Sequence, residues 1–102
     1  MSTRRQKSPA VRFLEDLAGP LTLGAALAAI REGEEWSQAE MARRLGISRS
    51  HLCDIEKGRK SVSPGRAAEF AEALGYGKRQ FVRLALQELV NEAGLDLEVS
   101  VA

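Results

Sequence analysis

Arg49, Ser50, His51 and Asp54 fall within one six-residue stretch, and their side chains suit the edges of nucleic-acid bases. An arginine can make a bidentate contact to guanine, a serine can donate to or accept from several bases, and an aspartate can accept from cytosine N4. Catalysis would need other groups. The chain has no clustered carboxylate pair, no nucleophile with a matched base and no phosphate-cradling glycine loop. Cys53 is the single cysteine, so an intrachain disulfide is impossible, and His51 lies on another side of the same helix, so no zinc-ligand set forms. The expectation is a binding protein without catalytic residues, metal or cofactor, in which Arg49 is the strongest candidate reader. Asp54 has a second role open to it, an ion pair with Lys57 at i+3. His51 either touches a phosphate or base when cationic or is an exposed helix residue without a role. Cys53 reads as a packing residue.

These side chains need a helix that presents them, and the stretch from Ser37 to Lys60 supplies it. Ser37 and Glu40 have the Ser-x-x-Glu spacing of a capping box, with Trp36 and Met41 placed as a hydrophobic staple around it. Met41, Ala42 and Leu45 then make one apolar stripe, while Gln38, Arg43 and Arg44 take the other faces. Gly46 is the residue that tolerates a left-handed turn, and Ser48 caps a second helix only two residues later. That helix turns Leu52 and Ile55 inward, keeps Arg49, Ser50, His51 and Asp54 outward or on its flanks, and ends at Gly58. Two helices joined so closely cross steeply and bury a small wedge, here Ala42, Leu45, Ile47, Leu52 and Ile55.

The stretch resembles the lambda-repressor-like, Cro-type helix-turn-helix family, also called the xenobiotic-response-element family. Gln38, Ala42, Gly46, Leu52 and Ile55 match its pattern, as does the Ile-Glu-x-Gly ending from Ile55 to Gly58. The likeness covers roughly Thr22 to Leu74. It implies a five-helix DNA-binding domain, and it implies an ion pair between Arg31 and Glu56 that ties the preceding helix to the recognition helix. It further implies a phosphate clamp made by Gln38 and the amides at the first motif helix's N-terminus, to which Ser37 and Ser48 belong as helix-start residues. Arg43, Lys57, Arg59 and Lys60 would supply charge to the flanking DNA backbone and make affinity salt-dependent.

With 102 residues and 44% apolar content, the chain has enough for one compact domain and a modest core. Its formal net charge of +1 hides a segregation: residues 1–12 and 37–66 each carry +4, residues 13–36 carry −4 and residues 67–102 carry −3. The acidic segments read as solvated faces. The positive excess on the motif that exposes a polar helix face reads as complementarity to a polyanion. No apolar run approaches the length of a membrane span, and the N-terminus lacks an apolar signal core, so a cytoplasmic protein without membrane contact is expected.

Three segments complete the reading. Residues 1–20 form a basic arm and, from 9 to 18, a short helix begun by Ser8-Pro9 and stopped by Gly19-Pro20. Residues 21–76 hold the DNA-binding domain. Its first helix runs from Thr22 to about Glu32 with Leu23, Ala26, Leu27 and Ile30 inward, and its fourth runs from Ser63-Pro64 to Leu74 on a stripe of Ala67, Phe70, Ala71 and Leu74. Residues 77–102 contain a longer helix, apolar on more than one face, and a period-2 segment from Leu95 to Val101 that predicts a short strand. A lone strand leaves backbone groups unpaired. Phe81, Leu84, Leu86, Leu89, Val90, Leu95, Leu97, Val99 and Val101 are therefore expected to build a two-fold interface, the alternative being a tail that lies on the monomer. The fold expectation is all-α, with five helices in the domain, an extra N-terminal helix or tail and the C-terminal strand.

The functional expectation is a homodimeric, sequence-specific transcriptional regulator, most simply a repressor, on double-stranded DNA with an inverted-repeat operator. Two alternatives stand beside it. One is an antitoxin that binds DNA and holds a toxin protein through its N-terminal segment or fifth helix. The other is an interaction adaptor that does not bind DNA, against which the basic 37–66 segment argues.

Overall fold

The computed structural model describes residues 21–102, so the expected helix over 9–18 and the arm before it lie outside the described residues. Five helices follow one another: α1 Leu23–Gly33, α2 Gln38–Leu45, α3 Arg49–Glu56, α4 Pro64–Leu74 and α5 Lys78–Glu92. The described part is all-α.

Four of the five starts are set by a hydroxyl. The side chains of Thr22, Ser37, Ser48 and Ser63 accept from the amides of Ala25, Glu40, His51 and Arg66 at 3.0–3.2 Å, each three residues on. Such a cap satisfies one of the amide donors that the first helical turn leaves unpaired, and each is worth about 1 kcal/mol. Only half of the capping box closes, because the Glu40 carboxylate engages Arg43 and Arg44 instead. Gly46 adopts the left-handed conformation at φ 74° that lets the chain reverse between α2 and α3. At the end of α1 that conformation falls not on Gly33, which stays helical, but on Glu35 at φ 61°. The Trp36 amide then closes the turn onto the Arg31 carbonyl at 2.9 Å.

The core is continuous across all five helices. Leu23 and Leu27 from α1, Met41 and Ala42 from α2, Leu52 and Ile55 from α3, Phe70 and Ala71 from α4, and Phe81, Leu84 and Ala85 from α5 are all buried in one cluster. Burying a Leu or Phe side chain contributes about 1.5–3 kcal/mol, so helices of eight residues that would not persist alone are held by this shared interior. Trp36, Ile30 and Ile47 pack against the cluster from its rim.

One crossing is closer than side chains allow. Gly24 of α1 lies against the C-terminal turn of α3, where a methyl carbon in place of its hydrogen would stand 2.1 Å from the Ile55 carbonyl oxygen. The glycine permits backbone contact. A second tie is long-range: the Leu23 amide, in the first turn of α1, donates to Glu88 Oε2 of α5 at 3.0 Å. Partial burial pushes the Glu88 carboxyl above its ordinary range, the Leu23 amide opposing that shift and Glu92 adding to it.

The C-terminal expectation needs correction. Residues 95–101 form no strand, and no strand occurs among the described residues. A strand needs a ladder partner, and here the tail backbone meets a helix side chain. Gln87 Nε2 donates to the Leu97 carbonyl at 2.8 Å and Gln87 Oε1 accepts from the Val99 amide at 2.7 Å. One amide side chain thus answers the two backbone groups that a neighbouring strand residue would have answered. Phe81 and Leu84 also depart from the reading as interface residues: they are 3% and 5% exposed, within the chain's own core. Leu86, Val90, Val99 and Val101 are half-buried, and Leu89, Leu95 and Leu97 are exposed.

Candidate nucleic-acid interface

The α2–α3 pair turns the outer surface of α3 away from the core, because Leu52 and Ile55 are drawn inward. Arg49 and Ser50 are exposed at the helix start, with His51, Cys53 and Asp54 on partly covered flanks. Lys57, Arg59 and Lys60 follow as an exposed basic turn, and Arg43 is exposed on α2.

A chain of polar contacts runs beneath this surface. Arg31 Nε donates to Glu56 Oε2 at 2.8 Å and Arg31 Nη2 to Glu56 Oε1 at 3.2 Å, a bidentate pair whose side chains are 18% and 6% exposed. Arg31 Nη1 also reaches the Trp36 carbonyl at 3.3 Å, tying in the loop before α2. The bond to Glu56 holds the Arg31 guanidinium above its ordinary pKa, against the effect of burial. Gln38, the first residue of α2, donates from Nε2 to Glu56 Oε1 at 3.1 Å. Its Oε1 in turn accepts from Arg49 Nη1 at 3.3 Å. Three helices therefore meet at one carboxylate, and the last link is the side chain at the start of the exposed helix. The sequence signalled Gln38 only through its family position; its bridging role needed the crossing of α2 and α3.

Asp54 is occupied, though not by Lys57. Arg59 Nε donates to Asp54 Oδ1 at 2.9 Å, and the Arg59 amide donates to the Asp54 carbonyl at 2.8 Å. Gly58, left-handed at φ 77°, folds the chain back so that residue 59 meets residue 54. Spacing rules for a continuous helix stop at that glycine and point to i+3 instead. The bond to Asp54 raises the Arg59 pKa.

The remaining candidates divide by what already holds them. Ser37 and Ser48 use their hydroxyls as helix caps. Arg43 and Arg44 both pair with Glu40, whose carboxyl is held below its usual range chiefly by the bond from Arg43. Arg44 also lies over Trp36, its guanidinium carbon 4.0 Å from a ring centroid, a cation–π contact that the spacing of residues did not suggest. His51 lines a shallow depression with Ile55, Ser61, Val62, Ser63, Arg66 and Phe70, which brings it beside the start of α4. Among the described residues, no group of three His, Cys, Asp or Glu side chains is placed to hold a metal ion, and no helix is long and apolar enough to cross a membrane.

The arrangement can present two or three donors and one screened carboxylate along an exposed helix, with cations on both sides. A model of the helix-turn-helix domain family matches residues 22–84. The chain is also similar to a solved structure described as the hypothetical transcription factor NHTF from Neisseria. The two share 27% identity at a TM-score of 0.53, over 66% of this chain and 77% of that one. No curated protein matches the sequence.

Proposed function

We propose that this chain, which belongs to the helix-turn-helix domain family, is a sequence-specific DNA-binding transcriptional regulator that acts as a dimer and represses by occluding a promoter. One observation carries the DNA-binding part: Arg49 and Ser50 open α3 as exposed residues, Ser50 on the face opposite its buried Leu52 and Ile55 and Arg49 beside it on the flank. A helix presented this way fits the major groove of B-DNA, where Arg49 is placed for guanine O6 and N7. The basic turn of Lys57, Arg59 and Lys60, together with Arg43, supplies phosphate contacts on either side. The description of the similar Neisseria structure as a hypothetical transcription factor supports the same class of function.

The dimer rests on α5 and the tail. Leu89, Leu95 and Leu97 are 46%, 52% and 63% exposed, an apolar surface that a second copy related by a two-fold axis would cover. Two copies would then read an inverted repeat with half-site centres about one helical turn, roughly 34 Å, apart.

Selection of bound sequences from a random DNA library, followed by titration on the selected site and on scrambled DNA at two salt concentrations, tests the reading. Arg49→Ala should cost about 1 to 3 kcal/mol on the selected site and relax preference at one base position of each half-site. Absence of wild-type binding to any duplex at low salt would remove DNA as the partner. Sedimentation of the full chain as a monomer at high concentration would remove the dimer.

A further inference from the structure

We infer that Arg59 is a positioning residue for base recognition: its guanidinium, folded back onto α3, holds the Asp54 carboxylate and offsets its charge, so that the free carboxylate oxygen can accept from a cytosine N4 in the major groove. The inference rests on the proposed DNA-binding role of α3. It gives Arg59 a task beyond that of a phosphate contact.

Asp54 follows Ser50 by four residues, so the two stand one turn apart on the same side of α3, away from the buried Leu52 and Ile55. An acid at that place is poorly suited to DNA by itself, because it approaches a polyanion. Arg59 answers the charge. Its Nε donates to Asp54 Oδ1 at 2.9 Å, and its Nη2 lies 3.9 Å from Cys53 Sγ on the same helix. The backbone fixes the approach. The left-handed Gly58 turns the chain, and the amides of Arg59 and Lys60 both donate to the Asp54 carbonyl, at 2.8 and 3.2 Å. The cation therefore reaches Asp54 from beyond the end of the helix.

The bond to Arg59 takes one carboxylate oxygen, and Oδ2 has no partner among the described residues. An ionised carboxylate only accepts, so this oxygen selects among base edges. Cytosine N4 donates to it, whereas guanine O6 and N7 and thymine O4 are acceptors and are repelled. Adenine donates from N6 but presents the N7 acceptor beside it. Arg49 and Asp54 thus ask opposite things of the groove: acceptors at the helix start, a donor farther along. The cation is not used up by this role. Its Nε and Nη2 face α3, and Nη1 is left for a phosphate.

Arg59→Ala removes the side-chain hold and leaves the Gly58 turn and the two backbone bonds in place. Affinities of the wild type, Arg59→Ala, Asp54→Ala and the double variant are measured on the selected site and on the same site changed at the base pair whose preference Asp54→Ala relaxes. In Arg59→Ala the ratio of the two affinities should fall about fivefold or more, the lower end of what one mismatched base pair costs. In the Asp54→Ala background the same change should lower that ratio no further and should weaken both duplexes alike. A preserved ratio in Arg59→Ala, with one common loss on every duplex, overturns the proposal and leaves Arg59 a phosphate contact. So does an Asp54→Ala protein that keeps every base preference of the wild type. NMR order parameters of the Arg59 Nε–H bond in the free protein separate this from the DNA-binding reading itself. Even if no duplex binds, that bond should be more ordered in the wild type than in Asp54→Ala, and equal order in the two overturns the positioning role.

Discussion

The α2–α3 unit and the α5–tail unit carry similar kinds of sequence signal, apolar periodicity bounded by glycine, yet one was legible and the other was not. In the first, each local cue has a local partner: Ser37 caps onto Glu40, Ser48 onto His51, and Gly46 makes the reversal between them. In the second, the alternation from Leu95 to Val101 suggested a strand, but the backbone of Leu97 and Val99 is bound by Gln87, ten and twelve residues away on a helix. Period-2 patterning reports which side chains face apart; it does not report what answers the backbone. A helix answers its own backbone, so its pattern is enough.

The contrast can be broken at the point where it is strongest. Arg31→Ala strands the Glu56 carboxylate, which is 6% exposed, and should destabilise the fold by about 3 to 5 kcal/mol in denaturant unfolding. A loss below 1 kcal/mol would mean that α3 is held by its apolar wedge alone. Gly24→Ala tests the same junction from the backbone side. With the Ile55 carbonyl 2.1 Å from the new carbon, α1 must move off α3, at a cost of about 3 kcal/mol. Unfolding within error of wild type would show that the helices were not in contact there.

Smaller effects belong to the C-terminal unit. Gln87→Ala removes both tail bonds and should cost about 1 kcal/mol, while amide exchange at Val99 accelerates and that in the core helices shifts only with global stability. Unchanged exchange at Val99 would sever the proposed link between α5 and the tail. Glu88→Gln should have the smallest effect, and it is one of slope. The folded protein holds the Glu88 proton more tightly than the unfolded chain, so ionising it costs stability as pH rises from 4.5 through the raised folded value. Relative to Glu88→Gln, the wild type should lose stability across that window and run parallel above it. Paired unfolding curves over the acid range would show this, and parallel curves throughout would place Glu88 in ordinary solvent.

The sequence by itself determined the parts whose causes lie within one turn of helix: the four hydroxyl caps, the left-handed Gly46, the inward Leu52 and Ile55, and hence the exposed face that begins with Arg49. The family likeness brought Arg31 and Glu56 together, since no spacing rule links residues 25 apart. Only the tertiary structure decided the partners of the polar side chains that reach beyond their own helical turn without such a likeness to guide them. Asp54 took Arg59 because Gly58 reverses the chain, Glu88 took the Leu23 amide because α5 returns to the start of α1, and Gln38 took both Glu56 and Arg49 because three helices converge there. The physical reason is common to these cases. A hydrogen bond depends on positions resolved to tenths of an ångström, and those follow from how the helices pack rather than from the order of residues along them.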